Sequence, residues 1–213
     1  LLPGLARMGF AVPLGGTTVF FRREALMAMR GWDAHNVTED ADLGFLLARR
    51  GYRTDLIATV TREEANNRFW PWIKQRSRWL KGYGLTWWVH SRRPLRSIRE
   101  MGLKRFTGMQ ALLLTTLVQF TLAPLLWSFW LVLFGLPHPL DPWLTTPAIH
   151  ALTALFLSAE AVSIIVGIAA VTRSPHRHLL PWVPSLFAYF PLGSFAIYKA
   201  IWEMLRNPFF WDK

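Results

Sequence analysis

The sequence predicts an α/β front half joined to a membrane-embedded helical back half. Three observations carry that expectation: uneven charge along the chain, long charge-free apolar stretches in its second half, and alternating β-rich and helical segments in its first. Of the 213 residues, 52% are apolar and 17% charged, against about 25% charged in ordinary soluble domains. The net charge is +11. Residues 1–105 hold 19 basic and 9 acidic groups, whereas residues 106–213 hold five and four. A composition boundary therefore falls near Phe106. The chain has no Cys, which excludes disulfide scaffolds, cysteine nucleophiles and thiolate metal sites. It shows no signal peptide and does not open with Met, so it is expected to be part of something longer.

The elements follow in order. Gly15–Phe21 is rich in β-branched and aromatic residues after a Pro-Leu-Gly-Gly turn, and is expected to be a strand. Arg23–Met29 reads as a short helix ended by Gly31. Asn36 to Gly51 reads as a second helix, with a cap at Asn36 or Thr38, acids in its first turn, basic residues in its last, and Gly51 as its stop. Arg53–Val60 is a second expected strand. Pro71 opens a helix running to about His90. These elements make up an expected first region, residues 1–90.

Residues 91–105 carry six basic groups and one acid. Leu95, Ile98, Met101 and Leu103, with Phe106, form a rough apolar stripe opposite the basic face. That is the pattern of a helix lying in the membrane interface against anionic lipid; a solvated linker is the plainer alternative. Residues 106–213 form the expected transmembrane region. No Asp, Glu, Lys or Arg occurs from Phe106 to Leu140, and about 20 apolar residues cross a bilayer. The expected spans are 109–136, 148–172 and 179–198. Glu160 alone interrupts the second. Pro181, Pro184, Pro191 and Gly193 break the third, which is therefore kinked, re-entrant or partly interfacial. Basic residues flank the first span on its N-terminal side and return at 173–178, while 137–147 has none. The positive-inside rule then places residues 1–105 in the cytoplasm of a multi-pass protein of the inner membrane.

Two clusters carry chemistry. Thr38, Glu39 and Asp40, with Asp42 close behind, put three carboxylates in one helical turn. Acids at a helix start are favoured on structural grounds alone. The same dipole holds a carboxylate ionised, which a general base requires. Asp40 and Asp42 also spell a D-x-D, a weak metal-binding signal. In Gln75-Arg-Ser-Arg78-Trp79, the residues Gln75, Arg78 and Trp79 are spaced i, i+3, i+4 and share one helix face. An amide, a guanidinium fork and an indole suit an anionic or sugar-like ligand. An amphipathic helix with Trp in the core and Arg on the rim is the structural alternative.

Thr-Glu-Asp at 38–40, Gln-Arg-Ser-Arg-Trp at 75–79 and the spans that follow resemble the membrane-embedded family-2 glycosyltransferases, which include cellulose, hyaluronan and exopolysaccharide synthases. Gly15 through Leu26 and Gly31-Trp-Asp33 also match the segment that precedes Thr-Glu-Asp in those enzymes. The specific likeness covers about residues 10–82. It implies the C-terminal portion of a GT-A, Rossmann-like domain, followed by an interfacial helix and about three transmembrane helices. It further implies inverting transfer from a nucleoside-diphosphate sugar to a glycan acceptor, and Asp40 as general base. By the same resemblance Thr38 and Glu39 shape the acceptor pocket, while Gln75, Arg78 and Trp79 meet the donor diphosphate and the acceptor sugar. Gly15 and Gly16 match the small residues that let the acceptor end approach. A divalent Mg or Mn ion is expected from the resemblance, with ligands outside this chain, because only 37 residues precede Thr38. Asp42 does not occupy the family's metal-motif position. By itself the chain is expected to be inactive. The expected partners are the sugar nucleotide, the glycan and the bilayer, with no nucleic acid. A membrane transport or assembly subunit is the alternative, motivated by Glu160 within a span.

Overall fold

The computed structural model describes residues 2–33, 36–57, 59, 61 and 63–207, with Phe190 described by its backbone alone. The expected Rossmann-like α/β sheet does not form among the described residues. About 70% of the described residues are helical, and no strand occurs among them. Residues 16–18 form a turn and bend, and the rest of Gly15–Phe21 is irregular, with no ladder partner among the described residues. Of the second expected strand, residues 53–57 and 59 are likewise irregular, while Ala58 and Val60 lie outside the described residues. A hydrogen bond between the hydroxyls of Thr18 and Thr61, 2.7 Å long, links the two segments. β-Branched and aromatic residues favour a pleated surface only where neighbours pack on it. A lone extended segment without a laddered partner does not become a strand.

The helices are α1 (Leu2–Arg7), α2 (Arg23–Met29), α3 (Glu39–Arg49), α4 (Phe69–Ser91), α5 (Pro94–Met101), α6 (Leu103–Met109), α7 (Thr115–Trp127), α8 (Phe129–Leu133), α9 (Thr146–Thr172) and α10 (Tyr189–Arg206). A π-helical turn, Gln110–Leu114, joins α6 to α7, and a 3-10 stretch, Arg177–Ala188, precedes α10. Arg30 and Gly31 both take left-handed backbone after α2, and Gly51 does so after α3. Two helical stretches, Leu103–Leu133 and Thr146–Thr172, are long and apolar enough to cross a membrane. A third candidate, Arg177–Ala188 with Pro191–Arg206, is bent by 55°. The chain is built to be embedded in a bilayer.

It divides into two compact units, Leu1–Gln119 with Ala196–Lys213, and Phe120–Phe195. In the first, α3 is the central element. Its Leu43 and Leu47 pack with Ala25 and Met29 of α2. Its Phe45 and Ala48 pack with Ala11, Met101, Met109 and Leu113. Gly44 lets this helix lie against the 12–14 backbone, where a Cβ would stand 2.5 Å from the Val12 carbonyl oxygen. A polar chain fixes the far side of α3. His90 Nε2 lies 3.0 Å from Asp42 Oδ1, and Arg49 Nη1 lies 3.1 Å from His90 Nδ1. Arg49 can only donate, so Nδ1 accepts and Nε2–H faces Asp42. Arg49 Nε and Arg96 Nε also donate to Glu100, at 2.6 and 2.7 Å. Arg96 first, and Arg49 after it, hold the Glu100 carboxyl below the usual carboxylate range. In α5, Met101 is core while Leu95 is 72% exposed, so the apolar stripe expected there is split between protein and surroundings.

In the second unit, His138 stacks on Phe129 with ring centroids 4.1 Å apart. The Leu140 N–H donates to His138 Nδ1, which leaves Nε2–H to donate to Ser128 Oγ at 2.9 Å. This network closes the turn after α8.

Candidate functional site

Helix α4 carries the candidate site. Five of its residues, Gln75, Arg78, Trp79, Gly82 and Tyr83, fall at i, i+3, i+4, i+7 and i+8, so they share one stripe. Gln75 and Arg78 are half-buried, and Trp79 is 43% exposed. Neither Gln75 nor Arg78 has a side-chain hydrogen bond or ion pair among the described residues, and the same holds for Glu39.

The segment 36–40 docks onto this stripe at Gly82. A Cβ there would stand 2.7 Å from the Thr38 Cβ, and closer still to its Oγ1 and Cγ2. Only glycine admits that approach. Asn36 Nδ2 donates to Thr86 Oγ1 at 3.0 Å, and Asn36 Oδ1 accepts the Thr38 N–H at 3.1 Å. Thr38 stands at the N-cap position of α3 without a side-chain capping bond. Its Oγ1 is buried with no hydrogen-bond partner. The sequence-level cap is thus replaced by an Asx turn that clamps the loop to α4.

Asp40 follows in the first turn of α3. Its Oδ1 accepts the Ala41 N–H at 2.8 Å. Its Oδ2 would lie 3.2 Å from a Cβ on Gly16, so this glycine borders the carboxylate directly. Nothing lies within 4 Å of a Cβ built on Gly15, which is open. Asp40 also acts on Tyr83. Burial raises the Tyr83 pKa above that of an ordinary phenol, and the Asp40 charge raises it further, against an opposing effect of Arg76. The structure therefore joins Thr38, Asp40 and Gly16 to the α4 stripe, through Gly82 and Tyr83. Arg78 and Trp79 each lie four residues before those two, about 5–6 Å along the axis.

Three features of α4 escaped the sequence reading. Gly82 and Tyr83 continue the i, i+4 spacing from Arg78 and Trp79, a signal that was present. Arg76, between the motif residues, has its guanidinium carbon 4.4 Å from the Trp79 ring centroid and 5.5 Å from that of Trp72. Lys81 is fully buried, with Nζ donating to the Asn207 carbonyl at 3.1 Å and 3.9 Å from Glu203. Burial pulls its pKa down, and Glu203 opposes that. No local pattern marks a buried lysine whose partners stand more than 100 residues away.

No group of three or more metal-ligating side chains occurs among the described residues. Asp42, the second acid of the D-x-D, is bound to His90 instead. These residues do not fit a divalent metal. A cavity of about 680 Å³ lies between residues 12–25 and 52–61. It includes Gly15 but neither Asp40 nor any residue of α4.

A family model described as Glycosyl transferase family group 2 matches residues 4–198. No curated protein and no solved structure matches the chain.

Proposed function

The chain belongs to glycosyl transferase family group 2, and on that premise we propose that it transfers a sugar from a nucleoside-diphosphate donor to a glycan acceptor, with inversion, at the cytoplasmic face of the inner membrane. The observation that carries this reading is the docking of Thr38 on Gly82. Two residues on, the Asp40 charge acts on Tyr83, and Gly82 and Tyr83 lie on the α4 stripe that also carries Gln75, Arg78 and Trp79.

The chemistry follows from the groups. Oδ1 of Asp40 is occupied by the Ala41 N–H, so Oδ2, on the Gly16 side, is the oxygen that takes the acceptor hydroxyl proton. The acceptor oxygen attacks the anomeric carbon as the bond to the diphosphate breaks on the opposite face. The electron pair leaves with the diphosphate, whose growing charge the Arg78 guanidinium meets with two parallel donors. Trp79 offers its exposed ring to the acceptor sugar, and Glu39 and Gln75 supply polar contacts beside it.

Asp40→Asn in the natural full-length protein tests the reading. Asn keeps the shape and the bond to Ala41 but does not take a proton. General-base catalysis is worth about 10²–10⁴-fold, so transfer falls by that factor while expression and donor affinity hold. Retention of more than about a tenth of the activity, below the low end of that range, refutes the assignment.

A further inference from the structure

Arg76 is the one charged residue inside the Gln75–Trp79 motif to which the transfer chemistry assigns no role, and its surroundings are unusual. Its guanidinium carbon lies 4.4 Å from the centroid of Trp79 and 5.5 Å from that of Trp72, so it is wedged between two indoles at i+3 and i−4 on the same helix. Its Nε is buried without a hydrogen-bond partner. No salt bridge to Arg76 occurs among the described residues. Stacking therefore holds this group in place, where an ion pair does so for Arg49 and Arg96.

A planar cation over an indole does two things at once. It is attracted to the ring's electron-rich face, and its flat body occupies that face. Trp79 is 43% exposed, and with one face covered its open surface is left on the other face and the edge. A sugar ring stacks on an aromatic face, so the covered side of Trp79 is closed to it and the open side is the only platform. The same contact restricts the rotation of the indole, which lowers the cost of ordering it when the acceptor binds. Trp72 on the other side of the guanidinium keeps Arg76 from swinging away.

We propose that Arg76 is a positioning residue for the acceptor: it backs the Trp79 ring, fixes its orientation and leaves a single face on which the acceptor sugar stacks. This rests on the reading of the chain as a glycosyltransferase whose acceptor meets Trp79. It differs from the role of Arg78, which faces the donor diphosphate. A lysine at 76 keeps the charge but loses the flat surface, so charge and stacking are separable.

The test uses the natural full-length protein in lipid nanodiscs and two readouts. In the first, Arg76→Gln, Arg76→Lys and Trp79→Ala are compared for acceptor KM, donor KM and kcat, together with the double variant Arg76→Gln/Trp79→Ala. The acceptor KM rises about 2- to 30-fold in Arg76→Gln, the range a cation–π contact supports, and by less in Arg76→Lys. The donor KM stays within twofold, and the double variant is no worse than Trp79→Ala alone, because Arg76 acts through that ring. In the second, the protein is labelled with 5-fluorotryptophan and the Trp79 resonance is identified by its loss in Trp79→Phe. Arg76→Gln shifts that resonance. An unmoved Trp79 resonance, a raised donor KM, or losses that multiply in the double variant overturn the proposal while leaving the transferase reading intact. A wild-type protein that transfers no sugar overturns that reading and this one with it.

Discussion

Replacing Gly82 by alanine separates a generic helix effect from the docking described above. In an exposed helix interior, Gly→Ala stabilises by about 0.8–1 kcal/mol. At position 82 the new methyl would stand 2.7 Å from the Thr38 Cβ, whereas ordinary contacts begin at 3.4 Å. Thr38 must therefore retreat by at least about 0.7 Å, and by more to clear its Oγ1 and Cγ2. Overpacking of this kind costs about 1–3 kcal/mol, which offsets the propensity gain and leaves a net loss of roughly 0–2 kcal/mol. At about 2–4 °C per kcal/mol for a chain of this size, Tm is unchanged or drops by up to about 8 °C. Activity falls further than stability, because Asp40 is two residues from Thr38 and a 1 Å misplacement costs up to about 10²-fold. Gly84→Ala is the control on the same helix. Its methyl would meet the flexible thioether of Met204 at 3.5–3.6 Å, an ordinary contact, so it keeps the propensity gain and full transfer. Thermal unfolding in nanodiscs and a transfer assay on both variants decide the matter. A Gly82→Ala protein as stabilised and as active as Gly84→Ala would refute the docking.

Asp42→Asn, unlike Asp40→Asn, lowers Tm: it removes the charged partner of a buried His90, and a hydrogen bond to a charged group is worth about 1.5–3 kcal/mol; equal melting points in the two variants count against this division of roles. Asp40→Asn lowers the pH at which Tyr83 ionises, because burial raises that phenol first and the Asp40 charge second, and only the second is removed. Absorbance titration at alkaline pH, with Tyr83→Phe subtracted, reads this among the four tyrosines of the chain, and an unchanged midpoint means the two residues are not neighbours. Cysteines at Arg93 and Thr145, both exposed positions, report topology: an impermeant thiol reagent labels Thr145→Cys and spares Arg93→Cys in intact cells, and the opposite pattern inverts the proposed orientation.

Much of this was legible in the chain before its structure. Helix ends were marked by Gly31 and Gly51, because glycine alone takes left-handed backbone without strain. The membrane helices were marked by the loss of charge after Phe106, because a bilayer excludes charge from any sequence in the same way. The motif residues shared a face because helical spacing is fixed by covalent geometry. All of these are local properties, and a local pattern determines them. The expected sheet failed for the converse reason: residues 15–21 and 53–60 have strand-like composition, but a strand exists only when another segment pairs with it, and pairing is not local. The same limit hid the contacts that depend on distant residues. Nothing near Asp42 in sequence announces His90, and nothing near Lys81 announces Asn207 or Glu203. The tertiary structure alone decided that Asp42 is spent on His90 while Asp40 Oδ2 borders Gly16, because burial and partner choice are set by what the folded chain brings together.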